Sequence, residues 1–253
     1  MAGKLTSKTA GTVLYLYGVT QSAPSTLPKI VGVDGSTRVE AISCSGLTCW
    51  ISRVSASEFA DELARNMENL DWLSEKSVAH QRAVSSISEV ADILPTRFGT
   101  VFLGEESLQA DMKRRKREIQ SDFKRIGGSD EWGVKVFALP TKVIANSPGK
   151  ITGRDYLRAK SQVLHSKAPA KSDQEVERFD SELRKLATET AEAGKISGGR
   201  RDIVYQVSLL IKRGERERFE ALLRRFSTHW KNQKSIECTG PWPPYSFLSR
   251  RVD

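Results

Sequence analysis

Nine residues near the end of the chain, Thr239-Gly240-Pro241-Trp242-Pro243-Pro244-Tyr245-Ser246-Phe247, constrain the fold more than any other stretch. Proline lacks an N–H and fixes φ, so this run is neither an ordinary helix nor a central strand. It is a rigid, extended or turning segment that holds three aromatic rings in set positions. Two readings follow. Trp242, Tyr245 and Phe247 close a domain core as a C-terminal strap, as aromatics commonly do, or they present a shaped contact to a partner.

Composition narrows the classes. At 253 residues, 38% hydrophobic and 28% charged, the chain suits a soluble globular protein of one large or two ordinary domains. No window approaches the roughly 20 consecutive apolar residues of a membrane span, and residues 1–12 are polar, so a cytoplasmic protein without a membrane partner is expected. Three cysteines without a C-x-x-C pair fit that compartment. Cys44 and Cys49 either face each other across a hairpin or serve as small buried hydrophobes.

A net charge of +9 raises nucleic acid as a partner, because cations displace counterions from phosphates. The densest run, Lys113-Arg114-Arg115-Lys116-Arg117, falls in a predicted helix, where consecutive residues point all round the axis. Some must lie near the apolar face and pair or snorkel, which describes a solvated helix surface. No RNP, KH or helix-turn-helix signature accompanies the charge, so nucleic-acid binding is the alternative function and not the leading one.

The hydrophobic pattern predicts an α+β protein of two domains. Residues 13–19 read as a strand buried on both sides, with Val13, Tyr15, Tyr17 and Val19 on one face, and two strands over 39–54 form a hairpin around Ser45-Gly46. Leu70, Leu73, Ser77, His80, Val84, Ile87, Ala91 and Leu94 make one seam along a predicted helix over 69–94, ended by Pro95. Thr96 to Leu103 is expected to be extended. A helix over 105–126 stops at Gly127-Gly128, which sets the boundary between an N-terminal α+β domain, 1–128, and a C-terminal domain, 129–253.

In the second domain a strand over 132–139 is followed by a helical region from about residue 153, interrupted near Pro169. Val176, Phe179, Leu183, Leu186, Thr190 and Ala193 extend it as a long amphipathic helix, and Gly194 to Arg201 connects to a strictly alternating strand over 203–211. A helix burying Phe219, Leu222, Leu223, Phe226 and Trp230 precedes a strand at 235–238. The order is compatible with a ferredoxin-like α+β sandwich ending in the Pro/aromatic tail.

Chemistry is sparse. His80, His165 and His229 are widely separated, with no zinc-site spacing, and Gly194 to Arg201 lacks the ending of a phosphate-binding loop. The expectation is therefore no metal, no cofactor, no small-molecule substrate and no catalytic residue. His80 in the seam reads as a satisfied histidine at a helix contact, and Arg97 as a buried, paired cation fixing the helix-strand junction.

Four stretches occur in order along the chain: Tyr15-Leu16-Tyr17-Gly18-Val19, Leu94-Pro95-Thr96-Arg97-Phe98-Gly99-Thr100-Val101-Phe102, Glu131-Trp132-Gly133-Val134-Lys135-Val136 and the Pro/Trp segment. Together with Asp71-Trp72-Leu73 and His80 they resemble the gas vesicle accessory proteins of the GvpF/GvpL family. The resemblance implies two α+β domains, the second related to the ferredoxin fold. It also implies a non-enzymatic assembly factor or minor component of gas vesicles. Such a protein binds the major hydrophobic shell protein and meets other accessory proteins. The resemblance maps no interface; the reading of the Pro/aromatic segment as a docking element makes Trp242, Tyr245 and Phe247 the expected contacts.

Overall fold

The computed structural model describes residues 11–139, 174–192 and 202–249. The helical region expected from about residue 153, its interruption near Pro169, and the Gly194 to Arg201 connection lie outside the described residues. The chain forms a mixed helix and sheet protein with two sheets, divided into two compact units, Met1–Trp132 with Gly240–Asp253, and Gly133–Thr239. The terminal residues thus group with the first unit, whereas the sequence division at residue 128 assigns them to the second.

The first unit contains β1 (Thr12–Thr20), the hairpin β2 (Glu40–Cys44) and β3 (Leu47–Ser55), and a π-helical turn at Ser57–Asp61. Helix α1 (Leu63–Asn66), α2 (Leu70–Ser88), β4 (Ile93–Pro95), β5 (Val101–Phe102) and α3 (Glu105–Ile126) complete it. The sheet order is β2-β3-β1-β4, with β5 also on β1. Ser45 and Gly46 both take positive φ, 54° and 81°, as a tight hairpin with the strands' own twist requires. Every residue of β1 after Thr12 is buried, because both sheet faces are covered.

A register shift in β1 between Leu16 and Gly18 corrects the expected face pattern. Val13, Tyr15 and Tyr17 share a core with Trp50, Phe59, Ala83, Val84 and Ile87. The bulge turns Val19 to the other side, where it lines a cavity with Leu16, Met112 and Ile119.

The predicted helix over 69–94 divides. Asn69 caps α2, its side chain accepting from the Asp71 and Trp72 amides, and Leu70 is left 78% exposed, outside any seam. The buried face is Lys76, His80, Ala83, Val84 and Ile87. After Ser88 the chain breaks so that Ile93, Leu94 and Pro95 can pair with Thr20, Val19 and Gly18. The edge of β1 offers those residues more hydrogen bonds and burial than another helical turn would. Only Val101–Phe102 of the expected extended stretch is strand. Helix α3 matches its prediction, with Glu105 and Glu106 at its start and Lys124 and Arg125 at its end complementing the helix dipole. Within its basic run, Arg115 is the one drawn toward the interior, bonded to Glu118 at 2.8 Å.

The second unit takes its sheet from β6 (Ser129–Ala138), β7 (Ala187–Ala191), β8 (Ile203–Lys212) and β9 (Lys234–Trp242), in the order β7-β8-β6-β9. Its helices are α4 (Gln174–Leu186) and α5 (Arg216–His229). The long amphipathic helix ends at Leu186. Thr190, expected on its seam, lies in the edge strand β7 opposite Leu209, and Thr188 donates its hydroxyl to the Leu210 carbonyl. β8 alternates only in its first half, since Val207 through Ile211 are all buried. Phe179, Phe226 and Trp230 form the aromatic centre of the core, with ring centroids 4.9 to 5.1 Å apart. As an edge strand, β9 can carry Pro241 near its end.

Candidate functional site

The strap and the histidine meet in the first unit. His80 projects from α2 toward β1 and is 4% exposed. Its Nδ1 lies 2.9 Å from the Tyr15 hydroxyl and its Nε2 3.3 Å from the Tyr245 hydroxyl. The Gly99 amide donates to Tyr15 Oη at 3.1 Å, so the phenol is held from the loop as well as from the imidazole. The imidazole stacks on Tyr17, with centroids 5.7 Å apart, and meets Phe98 edge-on at 5.9 Å. Burial pushes its pKa down to about 4, opposed in part by a hydrogen bond to the Thr96 backbone. The same burial drives Tyr17 up to about 12 and raises Tyr15 and Tyr245 further. These groups are neutral across the physiological range. Tyr15, His80 and Tyr245 are bonded in a row, while the Tyr17 hydroxyl donates to Ser52 and accepts from the Val33 amide, which makes a polar pin through an aromatic core.

The strap is held from both sides. After Pro243-Pro244 the chain makes a 3-10 turn at Tyr245–Phe247. Ser246 gives its amide and hydroxyl protons to the two oxygens of Glu131, at 2.9 and 2.5 Å. Ser249 does the same to Asp122, at 3.1 and 2.7 Å. Arg125 bonds both Asp122, at 2.7 Å, and the Phe247 carbonyl, at 2.5 Å. Asp122 and Glu131 are buried carboxylates satisfied by the strap's own donors. Between the strap, β1 and α3 remains a cavity of about 270 Å³ with Leu16, Val19 and Met112 on its floor and Tyr245 on its wall.

The expected site residues therefore divide. Phe247 is buried and Tyr245 packs against the core around Tyr15 and Tyr17, so both act as closures. Trp242 remains 42% exposed. His80 lies buried where α2 meets β1, bonded to Tyr15 and Tyr245. Arg97 is a correction, since its side chain is exposed and no carboxylate pairs with it among the described residues. Its carbonyl shapes the junction instead, accepting from the Thr100 amide at 3.2 Å and hydroxyl at 2.7 Å. The guanidinium is not needed there because the turn satisfies itself through backbone and hydroxyl groups.

The carboxylate clasps escaped sequence reasoning, although one carried a signal. Asp122 lies between Ile119, Phe123 and Ile126 on the apolar stripe of α3, where a carboxylate needs a dedicated partner. Cys44 and Cys49 are buried free thiols whose side chains bond to each other diagonally, since in the ladder Cys44 stands opposite Leu47 and Cys49 opposite Ile42. Among the described residues no group of three His, Cys, Asp or Glu converges to hold a metal ion. No described helix is long and apolar enough to cross a membrane.

Comparison with known proteins decides the family, for the gas vesicle synthesis protein GvpL/GvpF model matches residues 13–249. The chain belongs to the GvpL/GvpF family. It is 29% identical to gas vesicle protein L of a Streptomyces species, over 92% of this chain and 91% of that one. To gas vesicle protein F of Haloferax mediterranei it is 24% identical, over 94% of each. The crystal structure of GvpF from Anabaena shares its fold, with a TM-score of 0.70 at 18% identity, covering 94% of this chain and 99% of that one. GvpF from Microcystis aeruginosa does so at 0.67 and 19%, with the same coverage. A role in gas vesicle formation follows from membership.

Proposed function

We propose that this GvpL/GvpF protein is a non-enzymatic assembly factor or minor component that binds the major hydrophobic shell protein while gas vesicles form. A very apolar subunit aggregates if released unescorted, so its assembly calls for a partner that covers it. The observation that carries this reading is Trp242, a large aromatic left 42% exposed just before a strap clasped at Glu131 and Asp122. An exposed tryptophan on an anchored backbone meets a partner without first ordering itself, and tryptophan is over-represented among residues that dominate interfaces. Other gas vesicle accessory proteins are further partners, in the cytoplasm and at the vesicle. The second unit we read as ferredoxin-like, on its strand-helix-strand-strand-helix-strand order.

Co-expression with the shell protein, followed by capture and washing across a salt series, tests the proposal against an equally basic unrelated protein. Capture that survives the washes and is lost in Trp242→Ala supports it. Capture matched by the control overturns it.

A further inference from the structure

The second unit carries a feature that the strap does not use. Contacts along its two helices run in opposite directions: Glu175 meets His229, Phe179 meets Phe226, and Glu182 meets Arg225. The helices are therefore antiparallel neighbours, and a shallow cleft of about 680 Å³ runs between them on the surface. Arg178 and Lys185 line it from α4, Arg218 and Arg225 from α5. Each pair is seven residues apart, which is two turns or about 10 Å along its helix. The cleft thus has a row of two cations on either side. Leu186, Ala221 and Leu222 supply its apolar lining, with Ser181 beside them.

Charge within the cleft is unbalanced. Among the described residues Glu182 is the one carboxylate lining it, and it already holds Arg178 at 3.2 Å and Arg225 across the cleft. Arg218 reaches away to Glu215 at 2.6 Å, and Lys185 has no carboxylate partner among the described residues. Three of the four cations thus hold carboxylates and Lys185 does not. An incoming chain therefore brings an acidic side chain to Lys185, shares the other three with their present partners, and lays apolar side chains over Leu186, Ala221 and Leu222. Such a pattern belongs to one face of an amphipathic helix. A phosphate backbone fits less well, because the Glu182 carboxylate lines the cleft and already spans it to Arg225. The chain's own residues 140–173 are an unsuitable occupant, with seven Lys or Arg against two Asp or Glu.

We propose that the cleft between α4 and α5 is a docking groove for an acidic amphipathic helix of a partner protein. This surface lies in the second unit and stands independently of the shell-binding role of Trp242. Electrostatic complementarity of this kind sets partner choice and association rate more than total affinity.

The test uses the full chain and a fluorescein-labelled helical peptide of about 18 residues, with glutamates flanking a leucine stripe, long enough to span the cleft. A matched peptide carries lysines at the same positions, and a single-stranded oligonucleotide serves as competitor. Anisotropy at near-physiological salt is expected to show the glutamate peptide binding at least about tenfold more tightly than the lysine peptide. The double variant Lys185→Glu, Arg218→Glu, shown to be folded by circular dichroism, is expected to reverse that preference. Lys185→Glu alone, at an exposed position without a carboxylate partner among the described residues, reduces it and serves if the double variant does not fold. Equal binding of both peptides, or a preference untouched by charge reversal, overturns the proposal. So does displacement of the glutamate peptide by oligonucleotide with loss at the same residues, which reassigns the cleft to nucleic acid.

Discussion

His80 and Tyr15 are joined at 2.9 Å across the core of the first unit, helix to strand, with both groups buried and neutral. The bond fixes the ring so that its second nitrogen meets Tyr245 on the strap, and through it the terminal residues are tied to the interior.

The burial of His80 makes stability depend on pH. The unfolded histidine takes up a proton near its ordinary value of about 6.5, the folded one only near about 4. Between those values the unfolded chain binds more protons, so stability rises with pH from about 4 to about 6.5 and levels off above. The span is worth up to about 3 kcal/mol. Melting curves across that range should show the rise, and His80→Gln should flatten it while lowering stability at neutral pH.

Asp122 predicts a different signature. Asp122→Ala strips the partner from the Ser249 amide and hydroxyl and from Arg125, and should cost about 2–4 kcal/mol in chemical denaturation. Ser249→Ala leaves the carboxylate with Arg125 and the amide, and should cost about 1 kcal/mol.

Gly18 sits where β4 crosses closest to β1. A Cβ there would stand 2.6 Å from Ile93 Cδ1 and 2.7 Å from the Leu94 carbonyl oxygen. The side chain can move but the backbone oxygen cannot, so Gly18→Ala should lower stability by about 2 kcal/mol, read as a shift in melting temperature.

The strap residues should separate by measurement. Phe247→Ala opens a cavity under the strap and should cost about 3 kcal/mol, while Trp242→Ala, at an exposed site, should stay within about 1 kcal/mol of the parent.

How much of this was legible follows from how local each signal is. The hairpin turn at Ser45-Gly46 and helix α3 up to Gly127 were readable because their determinants lie within a few residues. The break in the helix after Ser88 and the strand at Ala187–Ala191 were not. Ile93-Leu94-Pro95 and Ala187-Thr188-Glu189-Thr190-Ala191 extend periodic helices in sequence and become strands only because a neighbouring edge needs a partner. Strict alternation puts Val19 on the face of Tyr15 and Tyr17, and it departs from that face for the same kind of reason, since the bulge at Tyr17 arises from pairing with β3. At the site, His80 was visible as a polar residue in an apolar seam. The exposure of Arg97 and the clasp of Ser249 on Asp122 depend on residues far apart in sequence, and only the fold brings them together or keeps them apart.

The most direct measurement is vesicle formation in a gas-vesicle-producing cell whose own copy of this protein has been removed and replaced by Trp242→Ala, with Trp242→Phe as the conservative partner. If Trp242 is the contact, the alanine variant accumulates as folded protein yet yields few vesicles by phase-contrast microscopy and buoyancy, and phenylalanine restores them. Normal vesicle yield with folded Trp242→Ala would contradict it.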